Sequence, residues 1–110
     1  MNVYDTANRL ASEIQGSEEY KEYKKLKNTL MSNPDTKKKI EDFERLRYEI
    51  QLMQYTGAEK DEEKTKKLEE MYAMLVQDKQ IKDFFDLEVK FNIMIADVNK
   101  IIAEAIKDVL

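Results

Sequence analysis

Three residues supply almost all the conformational punctuation in this chain: Gly16, Pro34 and Gly57. Two glycines and one proline in 110 residues leave too little material for the many tight turns of an all-β fold. Between these marks, apolar residues recur three and four apart, which is the period of a buried helix face. The chain therefore reads as all-α, with four to five helices and a long C-terminal one. Its length fits one domain, 1–110.

The spacing predicts a first helix from about Val3 to Gln15, with Val3, Ala7, Leu10, Ala11 and Ile14 in one stripe. Gly16 suits its stop and Ser17 the next N-cap, and Glu18 and Glu19 then sit in a positive first turn. The second helix runs to about Met31, with Tyr20, Tyr23, Leu26, Leu30 and Met31 on one side. The stretch "NPDT" marks the clearest boundary. Asn33 caps, Pro34 takes the first helical position, and Asp35 favours the dipole. The third helix continues to about Tyr55, its main stripe being Ile40, Phe43, Leu46, Ile50 and Met53. Gly57 stops it. The polar stretch "GAEKDEEK" leads into a fourth helix, and residues 57–63 are the expected flexible segment. Leu68, Met71, Tyr72, Leu75 and Val76 form the fourth helix's apolar face. Asp78 can cap a last helix of about Lys79 to Val109.

That last helix carries two apolar faces. Phe91, Ile95, Val98, Ile102, Ala105 and Val109 alternate spacings of four and three, a coiled-coil-like seam expected to hold the monomer together. Phe85, Val89 and Ile93 point largely the other way, and Ala96 and Ala103 extend that second strip with small side chains. The third helix repeats the pattern, with Tyr48, Leu52 and Tyr55 opposite Phe43 and Ile50. A helix that is apolar on two sides is normally buried on two sides. Other helices of the same chain could cover both. Four or five short helices cover little more than one core, however. The reading favoured here is a helical-bundle-like homodimer whose interface is Tyr48, Leu52, Tyr55, Phe85, Val89, Ile93 and Ala96.

Composition excludes several chemistries. With no cysteine and no histidine, the chain lacks thiolate and imidazole ligands, thiol nucleophiles and the usual general base. No cofactor, metal site or catalytic residue is expected. The carboxylate pairs Glu19/Glu22, Glu41/Glu44 and Asp83/Asp86 are spaced i, i+3 and could hold Mg²⁺ for a nucleotide hydrolase. With 23 acidic residues in a helical chain, solvated surface acids are the commoner explanation. Lys21, Lys24, Lys25 and Lys27, with Lys37, Lys38 and Lys39, form a candidate basic patch for phosphate contact. Their acidic neighbours Glu18, Glu22 and Glu41 point instead to a balanced solvated face. The net charge of −4 also disfavours general nucleic-acid binding. The opening ten residues hold Asp5 and Arg9 without an apolar run, and no stretch reaches the roughly 20 apolar residues of a membrane span. The expectation is a cytoplasmic protein.

The segments "VYDTANRLASEI", "SEEYKEYKKLK", "NPDTKKKIEDFERLR" and "DVNKIIAEAI" stand in the same order as in the bacterial YlbF/YmcA-like family. The chain resembles its YheA branch most, over nearly its whole length. That resemblance implies a cytoplasmic, all-helical, dimer-forming protein. It also implies kinship with non-enzymatic partners that adjust ribonuclease Y-dependent RNA processing. Members of that complex carry iron–sulfur clusters on cysteines, and this chain has none to offer. The resulting expectation is a non-enzymatic helical protein that self-associates and binds another, unidentified protein. Regulation of RNA processing or direct RNA binding is the alternative, and a metal-dependent nucleotide hydrolase a third.

Overall fold

A computed structural model describes residues 2–57, 59 and 61–110. Met1, and Ala58 and Lys60 of the expected flexible segment, lie outside the described residues. The regular elements among them are five α-helices: α1 Val3–Gln15, α2 Glu18–Met31, α3 Pro34–Tyr55, α4 Glu62–Leu75 and α5 Lys79–Ile106. The all-α class and the long last helix are as the spacing predicts. The last helix stops at Ile106, so Val109 falls in the turn beyond it.

Each helix begins on a side-chain cap supplied within its own first residues. The amide of Asp5 donates to Asn2 Oδ1 at 2.9 Å, and that of Tyr20 to Ser17 Oγ at 3.2 Å. Asn33 Oδ1 accepts from Asp35 at 3.0 Å and Thr36 at 3.3 Å. Asp61 Oδ1 accepts from Lys64 at 3.1 Å, and Asp78 Oδ1 from Gln80 at 2.9 Å. Such bonds satisfy amides that have no partner inside the helix. Gly57 takes φ +73° after α3, a left-handed backbone that residues with a Cβ avoid.

The chain divides into two compact units: residues 1–27 with 84–110, and residues 28–83. Helices α2 and α5 each contribute to both.

The 28–83 unit holds most of the buried apolar side chains. Leu30, Ile40, Phe43, Leu46, Leu75 and Ile81 are buried, Ile40 completely. Helices α3 and α4 pack closely and antiparallel. The Phe43 and Tyr72 rings lie 6.1 Å apart, and Lys64 Nζ reaches Glu49 Oε2 at 3.6 Å. The Arg47 guanidinium stacks 5.5 Å above the Phe43 ring, adding a cation–π contact to the apolar core. Burying each large side chain contributes about 1.5–3 kcal/mol before the cost of ordering it.

The other unit is built on four aromatic rings. Tyr20 of α2 meets Phe91 at 6.1 Å. Tyr23 meets Phe84 at 5.4 Å and Phe91 at 5.5 Å. The Tyr23 hydroxyl donates to Glu88 Oε2 at 3.4 Å, which gives the phenol a polar outlet within an apolar cluster. Phe84 and Phe85 are buried. Towards the far end of α5 the coverage fades. Phe91, Ile95 and Val98 of the expected seam are half-buried, whereas Ile102, Ala105 and Val109 are exposed. The seam therefore closes the monomer only as far as Val98. Helix α1 has no buried residue, and only Leu10 and Ile14 of its stripe are half-buried.

Truncating Ile40 tests the 28–83 core. Ile40→Ala is expected to lower the unfolding free energy by about 2–5 kcal/mol, read as a fall in urea midpoint at constant slope. A loss well below about 1 kcal/mol would mean that this side chain is not part of a packed core.

Candidate interaction surfaces

Large apolar side chains stand in solvent on α3 and α5, where a lone monomer gains nothing from them. On α3, Tyr48 is 60% exposed, Leu52 44% and Tyr55 90%. Their spacing of i, i+4, i+7 sets all three on one side of the helix. The opposite side carries Phe43 and Leu46 into the core, so α3 has an inner and an outer apolar face. On α5, Val89 and Ile93 are both more than half exposed, and Ala96 is exposed beside them.

Phe85 departs from this pattern. It was expected to begin the outer strip of α5, yet it is only 5% exposed and its ring lies 5.8 Å from that of Phe84. On a helix, adjacent residues point about 100° apart, so Phe84 and Phe85 straddle one broad buried face. The outer strip of α5 therefore starts at Val89.

Two shallow depressions accompany these faces. In the 28–83 unit, Met71, Met74, Leu75 and Ile81 floor a groove of about 260 Å³, with Lys39 and Asp42 at its polar edge. Methionine is a pliant contact surface, and Met74 is 73% exposed. In the other unit, Ile93, Met94, Val98 and Ile101 floor an open depression of about 490 Å³ between Lys90 and Asp97.

The charged residues are paired along helix surfaces and do not converge on one point. Lys38 Nζ binds Asp42 Oδ2 at 2.8 Å and Arg45 approaches Asp42 Oδ1 at 3.5 Å. The hydrogen bond from Lys38 holds the Asp42 carboxyl below its ordinary value of 3.8, aided by the nearby charges of Lys38, Arg45 and Lys67. Lys21, Lys24 and Lys25 are exposed on α2, and the Lys24 ammonium sits 5.8 Å from the Tyr20 ring. Lys37, Lys38 and Lys39 are exposed on the first turns of α3. The two lysine groups belong to different units. Among the described residues, no group of three or more acidic side chains is placed to hold a metal ion. None of their helices is long and apolar enough to cross a membrane.

Sequence spacing did not single out a further open area. Val3 and Tyr4 of α1, Ile101, Ile102 and Ile106 at the end of α5, and Val109 in the turn beyond it are exposed apolar residues of one unit. Helix periodicity makes Val3, Ile102 and Val109 look like core. The usable signal was a count of helices: α1 and part of α2 are the only companions of α5 in that unit.

A family model described as "Control of competence regulator ComK, YlbF/YmcA" matches residues 3–107. A protein of Halothermothrix orenii named UPF0342 protein is 35% identical over 102 residues, covering 93% of this chain and 86% of its own. A UPF0342 protein of Desulfitobacterium hafniense is 34% identical over 110 residues, covering 100% and 89%. Among solved structures, a protein of unknown function (DUF964) from Bacillus stearothermophilus superposes with a TM-score of 0.82 at 17% identity, over 96% of this chain and 93% of that one. The yheA protein of Bacillus subtilis gives 0.68 at 24% identity over the whole of both chains. At those identities the two structures speak for the fold.

The Lys38–Asp42 contact gives a local test. In a carboxylate NMR titration Asp42 should titrate below 3.8, and Lys38→Met should move it back up. An unshifted Asp42 in the wild-type chain would show that the ion pair does not persist in solution.

Proposed function

The chain belongs to the YlbF/YmcA family, the family described as controlling the competence regulator ComK, and we propose that it acts as a non-enzymatic interaction protein. It self-associates, and it offers a helical apolar face to a second protein. The observation that carries this reading is the outer face of α3. Tyr48, Leu52 and Tyr55 follow the i, i+4, i+7 spacing of anchors in helix-in-groove recognition, and all three stand in solvent. Aromatic side chains in such positions are typical of binding energy concentrated in a few residues. The strip of Val89, Ile93 and Ala96 on α5 supports the same reading from the other unit. Work of this kind is done by differential binding and needs neither a nucleophile nor a metal.

Sedimentation equilibrium on the wild-type chain should report a self-associating species. A double variant, Leu52→Glu with Ile93→Glu, should keep its helical circular dichroism while losing self-association or the capture of a stoichiometric protein partner at least tenfold, roughly 1.4 kcal/mol. The reading fails if the wild-type chain stays monomeric at every concentration. It also fails if the double variant changes neither binding event.

A further inference from the structure

We propose that the trough between α3 and α4 is a docking site of its own, and that it takes an acidic amphipathic helix of another protein. The apolar stripe of that helix lies along a floor of methionine and leucine. Its carboxylates meet Lys39 on one wall and Lys67 on the other. The trough is separate from the outer faces of α3 and α5, and its occupancy does not depend on self-association.

The first argument is the shape of the trough. The groove floored by Met71, Met74, Leu75 and Ile81 does not end at Asp42. Asp42 and Met71 also line a neighbouring depression of about 370 Å³, which continues to Leu46, Glu49 and Lys67. The two join into one channel that lies wholly within the 28–83 unit. On α3 it runs from Thr36 to Glu49, about 20 Å at the helical rise of about 1.5 Å per residue. A partner helix of about 13 residues has that length.

The floor suits such a helix. Leu46 and Leu75 are buried in the core that underlies it, whereas Met74 is 73% exposed and Met71 half-buried. Unbranched thioether side chains rearrange around different apolar anchors, and surfaces that accept amphipathic helices use them for that reason. An RNA backbone would contact the lysines and leave this apolar floor uncovered.

The charges of the rim select the sign of the partner. Its three acids are already engaged. Asp42 holds Lys38 at 2.8 Å and Arg45 at 3.5 Å, and Glu49 holds Lys64 at 3.6 Å. Asp78 Oδ1 accepts from the amides of Gln80 and Ile81 at the start of α5. The cations that line the trough without an ion pair, among the described residues, are Lys39 and Lys67, and both are exposed. Lys67 is near enough to Asp42 to act on its titration but does not bond it. Asp35, Glu63 and Glu70, a turn away along the same helices, bond neither lysine.

A basic helix would therefore find every acid of the rim occupied, whereas an acidic one meets two open ammonium groups. Charge complementarity of this kind decides which partner is admitted more than how tightly it is held. Lys67 shares its end of the trough with Leu46, two turns of α3 beyond Lys39. The carboxylates of the partner belong about two turns apart, one on each edge of its apolar stripe.

The probe is a fluorescein-labelled helical peptide of about 13 residues, with leucines at i, i+3 and i+7 and glutamates on both flanks. Fluorescence anisotropy with the full chain should show saturable binding, at least tenfold tighter than that of a twin carrying lysine for every glutamate. Lys39→Glu with Lys67→Glu should reverse this preference, and Lys39→Arg with Lys67→Arg should keep it. The methyl resonances of Met71 and Met74 should shift with the acidic peptide and not with a single-stranded uridine oligonucleotide. Leu52→Glu with Ile93→Glu should bind the peptide as the wild-type chain does. No saturable binding, equal binding of the two peptides, or an unmoved preference in the charge-reversed variant overturns the proposal. Methyl shifts with the oligonucleotide alone give the trough to a nucleic acid instead. Loss of the peptide in Leu52→Glu with Ile93→Glu alone puts it on the outer faces and removes the trough as a site, while the proposed function stands.

Discussion

The constraint on which this structure turns is the apolar surface of α5, which exceeds what the chain can cover. Its first half is enclosed: Ile81, Phe84 and Phe85 are among the most buried residues. The four rings of Tyr20, Tyr23, Phe84 and Phe91 tie α2 to it. Past Val98 the helix carries on with the same periodicity, and every residue there is exposed. Burial at one end and exposure at the other make α5 both a core element and a surface, and the division falls along its length as well as around its circumference.

Much of the fold was legible in the sequence because its boundaries are local. Ser17, Asn33 and Asp78 were readable as caps, and Gly57 as a stop, from their chemistry alone. Helix α4 was read as following a polar loop, but its cap, Asp61, sits in a run of acids where no single residue stands out. The stripe of Ile40, Phe43 and Leu46 was read as core and is core. Tyr20 and Tyr23, read as one side of the second helix, belong to the aromatic cluster.

The surfaces were harder to read, for a physical reason. Periodicity tells which residues share a side, but not whether that side has a companion. Phe85 looked like part of an outer strip because it is four residues from Val89. Its neighbour Phe84 shows that the buried sector there is wide enough to include both. Ile102 and Val109 looked like core because they continue the line of Phe91. What decides their fate is how many helices lie alongside, a property of the assembled chain and not of any window of sequence. The outer face of α3 was identifiable because Tyr48, Leu52 and Tyr55 oppose a stripe already committed to the interior.

The caps have a kinetic consequence. Because each helix begins on a side chain within its own first turn, each can start without waiting for distant contacts. Chains dominated by local contacts fold within microseconds to milliseconds, and a single helix equilibrates with its coil in about a microsecond. Helix α1, which starts on Asn2, is therefore not the slow element of folding. The slower events are the meeting of Phe43 with Tyr72 and of Tyr20 with Phe91, which join residues far apart in sequence.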